Sequence, residues 1–227
     1  FPMAGTMGEH GAYMVGGFLG TLICLERTVN YPNRFALVVP VINSLSIVFL
    51  LAGYSLIAYF FLLAGGIGLT IVYLNLYAKH KNFYLLLLMS GALCYVIGNA
   101  LLIKSSFYPP SVMWWIAFLF LTITGERLEF SRFLNISAKK QAVLAILLLL
   151  FVAGIVSPFH SIGGYILALS MIGCSVWLLK YYMAKHSLKK PGQTFYNGLL
   201  LITAYIWLGI TGLFMAYGSY FGLLYDA

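Results

Sequence analysis

The chain has 227 residues, of which 62% are hydrophobic, 17% aromatic and 8% charged, with thirteen Lys and Arg against five Asp and Glu. Its mean hydropathy of +0.96 excludes a soluble globular domain, because so few charges could not cover a water-facing surface of that size. The formal charge of +8 sits in short clusters between long apolar runs, which is how a membrane protein is oriented in its lipid bilayer and not how a basic surface for nucleic acid is built.

Runs long enough to cross a bilayer fall at 4–26, 35–53, 56–78, 83–103, 111–131, 140–157, 161–183 and 194–222. The expected fold is therefore an all-α polytopic bundle of eight transmembrane helices, one membrane domain spanning 1–227. The first run opens with "MAGTMGEHGAYM", residues 3–14. At about 100° per residue, Met3, Met7, His10 and Met14 share one arc of an α-helix, while Gly8, Ala12, Gly16 and Gly20 form a small-residue ladder on the other side. The ladder invites close approach of a neighbouring helix. Thioethers beside an imidazole suit a soft metal such as Cu(I), and His with Met is also an axial set for haem iron. Gly17 and Thr21 continue that arc and would leave a shallow trough for a flat macrocycle. The competing reading of the same stripe is adaptable packing.

Following the chain, Arg27, Arg34, Lys79, Lys81, Arg127, Arg132, Lys139, Lys140, Lys180, Lys185, Lys189 and Lys190 fall on one side of these spans, and Lys104 alone on the other. By the positive-inside rule the basic side is cytoplasmic, which puts both ends of this piece outside a bacterial inner membrane. His160, between the sixth and seventh runs, is then the other outer histidine and a candidate second ligand to His10. His80 and His186 stand among lysines and read as solvated flanks. Cys24, Cys94 and Cys174 form no CxxC pair and read as small packing residues.

The first run carries "FLGTLICLER" at 18–27 and the fifth "FLFLTITGER" at 118–127, and "AKH" recurs at 78–80 and 184–186. These matches point to a tandem 4+4 parallel repeat, with halves of about 1–105 and 106–227. Glu26 and Glu126 lie at helix C-termini, where the macrodipole disfavours a carboxylate, so each needs a cation. The adjacent arginine points about 100° away, which predicts crossed pairs, Glu26 with Arg127 and Glu126 with Arg27, while Glu129 and Arg132 can pair locally. A structural clamp is the preferred reading of these pairs. The other is a proton or substrate path through the carboxylates.

"HGAYMVGGFLGTLICLER" together with "GERLEFSR" resembles the histidine-led helices of the NnrS family, bacterial membrane proteins associated with haem, copper and nitric oxide metabolism. The resemblance implies a cofactor role for His10 and, on the same helix, Met14. The family has more spans and more intramembrane histidines, so by the resemblance this chain either lacks further helices or belongs to a divergent branch. The chain opens on Phe1 and stops at "GLLYDA", so it reads as a piece of something longer.

Hydrolytic chemistry finds no Ser-His-Asp set, phosphate loop or HExxH in the sequence, so an enzyme is the lesser expectation. Three functions remain open at this stage. The first is a haem- or copper-binding membrane protein acting in redox or nitrogen-oxide handling. The others are a transporter or channel for a small molecule or ion built from two four-helix repeats, and a structural subunit that packs against other membrane subunits.

Overall fold

The structure is a computed structural model, and it describes residues 8–131, 136–157, 162–181, 187–188 and 191–221. Met3, Met7, Arg132, His160 and His186 lie outside the described residues. Among the described residues there are eight helices and no strand. Helix α1 is a π-helix over Ala12–Gly20 that continues as an α-helix over Thr21–Val29, and α2 opens as a 3₁₀ turn over Arg34–Leu37 before its α-helical stretch Val38–Leu51. Then come α3 (Ser55–His80), α4 (Phe83–Ser105), α5 (Pro109–Phe130), α6 (Ala138–Val156), α7 (Gly164–Tyr181) and α8 (Gln193–Phe221). Six of them, α2, α3, α4, α6, α7 and α8, are long and apolar enough to cross a membrane. Helices α1 and α5 are the two that end in the Glu-Arg pairs 26–27 and 126–127.

The connections follow from local chemistry. Gly53, at φ 83°, turns α2 into α3 within three residues, a conformation a Cβ would oppose. Asn33 starts the 3₁₀ turn of α2 by accepting from Phe35 N–H at 3.0 Å. Helices α3 and α4 close with the left-handed residues Lys81 and Ser106, whose N–H groups bond back to Tyr77 and Leu102. These short joints make α2, α3 and α4 antiparallel neighbours.

The chain divides into two compact units, Phe1–Glu126 and Arg127–Ala227. In the first unit α5 packs along α4, with Trp115 beside Gly98, Phe118 and Leu121 beside Gly91, and Leu88 beside Gly125. In the second unit α7 lies against both α6 and α8. Gly154 receives Leu167, Gly173 receives Leu147, and Gly212 faces the main chain of Ala168 and Ile172. Ser175 Oγ donates to the Tyr205 carbonyl at 2.6 Å, and Trp177 Nε1 donates to the Lys140 carbonyl at 3.0 Å. Leu149, Trp207 and Phe214 are among many large apolar side chains left exposed, as expected of surfaces whose solvent is lipid. All three cysteines are buried and free.

In the first unit the small residues of α1 make the contact. Ala12, Gly16, Gly17 and Gly20 are buried, so the ladder read from the sequence packs from Ala12 onward. Gly8 is its exception, being exposed with nothing within 4 Å of where a Cβ would stand. A Cβ on Gly20 would sit 2.7 Å from the Tyr95 hydroxyl and 3.2 Å from Asn43 Nδ2. Gly20→Ala is therefore expected to cost about 1–3 kcal/mol through overpacking, and Gly8→Ala close to nothing. Thermal unfolding of the two purified variants in detergent checks this; equal midpoints would contradict the packing described.

Candidate functional site: a polar column in the first unit

The π-helical opening of α1 changes which side chains share a face. Its hydrogen bonds close from i to i+5, so turns are wider than in an α-helix and an arc drawn at α-helical spacing does not persist along it. Met14 is 45% exposed and His10 is exposed, whereas Gly17, placed on their arc by the sequence, is buried against Ile47. Thr21, the other end of the expected trough, hydrogen-bonds with Asn43. Gly17 and Thr21 thus each meet a side chain of α2. His10 and Met14 stand at the surface, and among the described residues no group of three His, Cys, Asp or Glu side chains is suited to a metal ion.

What α1 does position is a main-chain acceptor. The Gly16 carbonyl accepts from Asn43 Nδ2 at 2.9 Å and lies 3.0 Å from the Tyr95 hydroxyl. Asn43 Nδ2 also donates to Thr21 Oγ1 at 2.9 Å, and its Oδ1 is 3.1 Å from the same tyrosine hydroxyl, which shares one proton between two acceptors. Asn43 and Tyr95 are fully buried. In a membrane interior such groups persist only when hydrogen-bonded, so this cluster fastens α1, α2 and α4 to each other.

Further polar groups extend the cluster toward both ends of the unit. One turn along α4 from Tyr95, Asn99 Oδ1 accepts from Trp115 Nε1 at 3.1 Å, and the Trp115 ring meets Tyr108 edge-on with centroids 6.0 Å apart. There the Glu9 carboxylate accepts from the Tyr59 hydroxyl at 2.8 and 2.7 Å and from the Tyr108 hydroxyl. The two hydroxyls are 3.3 Å apart. Burial first, then the bonds to Glu9 and Tyr59, push the Tyr108 phenol above its ordinary range, so it stays a donor through neutral pH.

Toward the other end, Arg27 Nη2 lies 3.6 Å from Glu126 Oε1, with both side chains nearly buried, and the Arg27 guanidinium sits 5.9 Å from the centre of the Tyr73 ring. The structure thus brings together Arg27 and Glu126, from α1 and α5. Glu26 is exposed. Arg127, first residue of the second unit, lies over Phe130 at 5.8 Å, and Glu129 is half-buried.

Several buried polar atoms in this unit, Tyr13 Oη, Ser111 Oγ, Asn99 Nδ2, Thr122 Oγ1 and Tyr73 Oη, take no hydrogen bond among the described residues. Such atoms mark seats for water or a polar solute. Sequence reasoning passed over Glu9, Asn43, Tyr59, Tyr95, Asn99 and Tyr108. The available signal was an acid and two asparagines inside apolar runs, each costly in hydrocarbon.

The chain belongs to the family described as Domain of unknown function (DUF8744), whose profile matches residues 2–227. No curated protein and no solved structure matches it.

Separating Arg27 from Glu126 leaves a nearly buried charge without that partner. Arg27→Gln and Glu126→Gln should each lower stability by on the order of 1–3 kcal/mol, less than for a fully buried pair. The double variant should lose less than the sum of the two, as read by thermal unfolding. Strict additivity would mean that the pair carries no coupling.

Proposed function

We propose that this integral membrane protein is a transporter or channel that moves an ion or a small polar solute along the column in its first unit. The observation that carries the reading is the succession of hydrogen-bonding side chains from Glu9 through Asn99, Tyr95 and Asn43 to Arg27 and Glu126. It is supported by the buried polar atoms of Tyr13, Asn99 and Tyr73, which lack partners among the described residues. A bundle needing only interhelical fastening would pair such groups, because each one left unpaired in hydrocarbon costs several kcal/mol by order of magnitude.

In this reading all eight helices span, as two four-helix repeats in a bacterial inner membrane. The Glu9 end faces out, and Arg27, Arg34, Lys79 and Lys81 face the cytoplasm. Haem or copper binding in redox or nitrogen-oxide handling, through His10, Met14 and His160, has weaker support, since His10 and Met14 are exposed and Gly17 is covered by Ile47.

The test is reconstitution of the full chain in liposomes. Currents are recorded under gradients of K⁺, Na⁺ and choline, and swelling is followed in glycerol and urea. We expect at least one probe to move, and Asn43→Leu and Tyr95→Phe to slow it by about tenfold, the equivalent of one lost hydrogen bond in the pathway. The lipid-facing change Phe60→Leu should leave the rate unchanged. Rates equal to those of empty liposomes for all five probes would sink the proposal.

A further inference from the structure

The second unit, Arg127–Ala227, carries eight lysines and arginines but only two acids, Glu129 and Asp226, so its own carboxylates cannot neutralise its charge. Where α6 begins and α7 ends, that excess is focused on one ring. Lys140 Nζ lies 4.7 Å and Lys180 Nζ 5.4 Å from the centre of the Tyr181 ring. Trp177 Nε1 donates to the Lys140 carbonyl at 3.0 Å, and its ring stands 5.6 Å from that of Tyr181. The first turn of α6 is thereby fastened to the last turn of α7. We infer that Lys140, Lys180 and Tyr181 form a binding site for the headgroup of an anionic phospholipid at this end of the α6–α7 seam.

The placement follows from helical register. Lys140 continues the stripe of Leu144, Leu147, Phe151 and Gly154, the face of α6 that packs on α7, and Tyr181 continues the buried stripe of Leu167, Cys174 and Trp177 on α7. Both helices are long and apolar enough to cross a membrane, so these ends stand at headgroup depth. A lysine in the first turn of α6 is opposed by the macrodipole, so helix stability does not account for it. Attraction to the ring face draws the two ammonium groups together against their mutual repulsion. A phosphodiester relieves that repulsion, because its two unesterified oxygens share one negative charge and each ammonium gains a charge-assisted acceptor. The apolar part of a lipid has its place as well. Val143, one turn along α6 from Lys140, is 50% exposed, and Val176, one turn before Lys180, is 58% exposed, so acyl chains can lie beside them. A free phosphate would meet the lysines and leave that apolar flank uncovered, which favours the lipid. Lipid binding here does not require that the first unit transports anything.

The test titrates the purified full chain, in mild detergent, with phosphatidylglycerol, phosphatidylcholine or inorganic phosphate, and counts bound lipid by native mass spectrometry. Phosphatidylglycerol should bind about tenfold more tightly than phosphatidylcholine, whose headgroup carries a cation of its own. Lys140→Gln and Lys180→Gln should each weaken phosphatidylglycerol binding about fivefold, the ordinary contribution of one basic residue at an anionic surface. Tyr181→Leu, which removes the ring that gathers the two ammonium groups, should weaken it as well. Lys139→Gln, about 100° away around α6, and Lys104→Gln in the first unit should change it less than about twofold. Equal losses in Lys139→Gln and Lys140→Gln would mean diffuse attraction to the basic end and would overturn the site. Phosphatidylcholine binding as tightly as phosphatidylglycerol, or inorganic phosphate displacing the lipid at equal concentration, would overturn the assignment to an anionic lipid. Circular dichroism and a single elution peak establish that each variant is folded.

Discussion

The first unit depends on one requirement, that polar groups in hydrocarbon find partners within the protein. The Gly16 carbonyl is where it is met most densely, because Asn43 and Tyr95 converge on a single main-chain oxygen from α2 and α4. Once those two side chains are fixed, much else follows. Gly20 and Gly66 have no room for a Cβ because Tyr95 fills it, and Gly65 has none because Asn43 does. The glycines of α1 and α3 are therefore the counterpart of two large polar side chains, and the helices approach as closely as those side chains require. Membrane helices gain little from apolar burial against each other, so close packing and hydrogen bonds of this kind supply the association.

The two ends of the unit meet charge differently. At the basic end a carboxylate and a guanidinium from α1 and α5 face each other, with an aromatic ring beside the cation. At the other end a carboxylate is held by phenols alone. An ion pair joins its helices by charge and hydrogen bonding together, whereas the phenols join theirs to the carboxylate by hydrogen bonding alone. The asymmetry of the unit is thus chemical as well as electrostatic.

Much of the architecture was legible in the sequence, because apolar runs and basic clusters are read by length and composition alone. The ends of α3 at His80 and of α6 at Val156 fall within two residues of those expected. The approach of Arg27 to Glu126 followed from the angle between adjacent residues on a helix. His10 and Met14 are both exposed, and Met14 lies in a stretch that winds as a π-helix, where the α-helical spacing used to place Gly17 and Thr21 on their arc does not hold. Asn43, Tyr95 and Asn99 were invisible for another reason. A single polar residue in an apolar run looks the same whether it faces lipid, water or a carbonyl 27 or 79 positions away, and only tertiary contact decides. Glu9 lay inside the quoted opening stretch and was overshadowed by the histidine beside it.

The π-helical stretch has a mechanical consequence. Each wide turn stores a residue that an α-helix would place in the next turn, so closing one such turn to α geometry would rotate everything before it by about 100° and shift it by about 1.5 Å along the axis. Gly16, bonded from two sides, is anchored at the middle of that stretch, and Glu9 precedes it. Closing a turn ahead of Gly16 would therefore swing Glu9 around the axis of α1 while leaving the Asn43 and Tyr95 bonds in place.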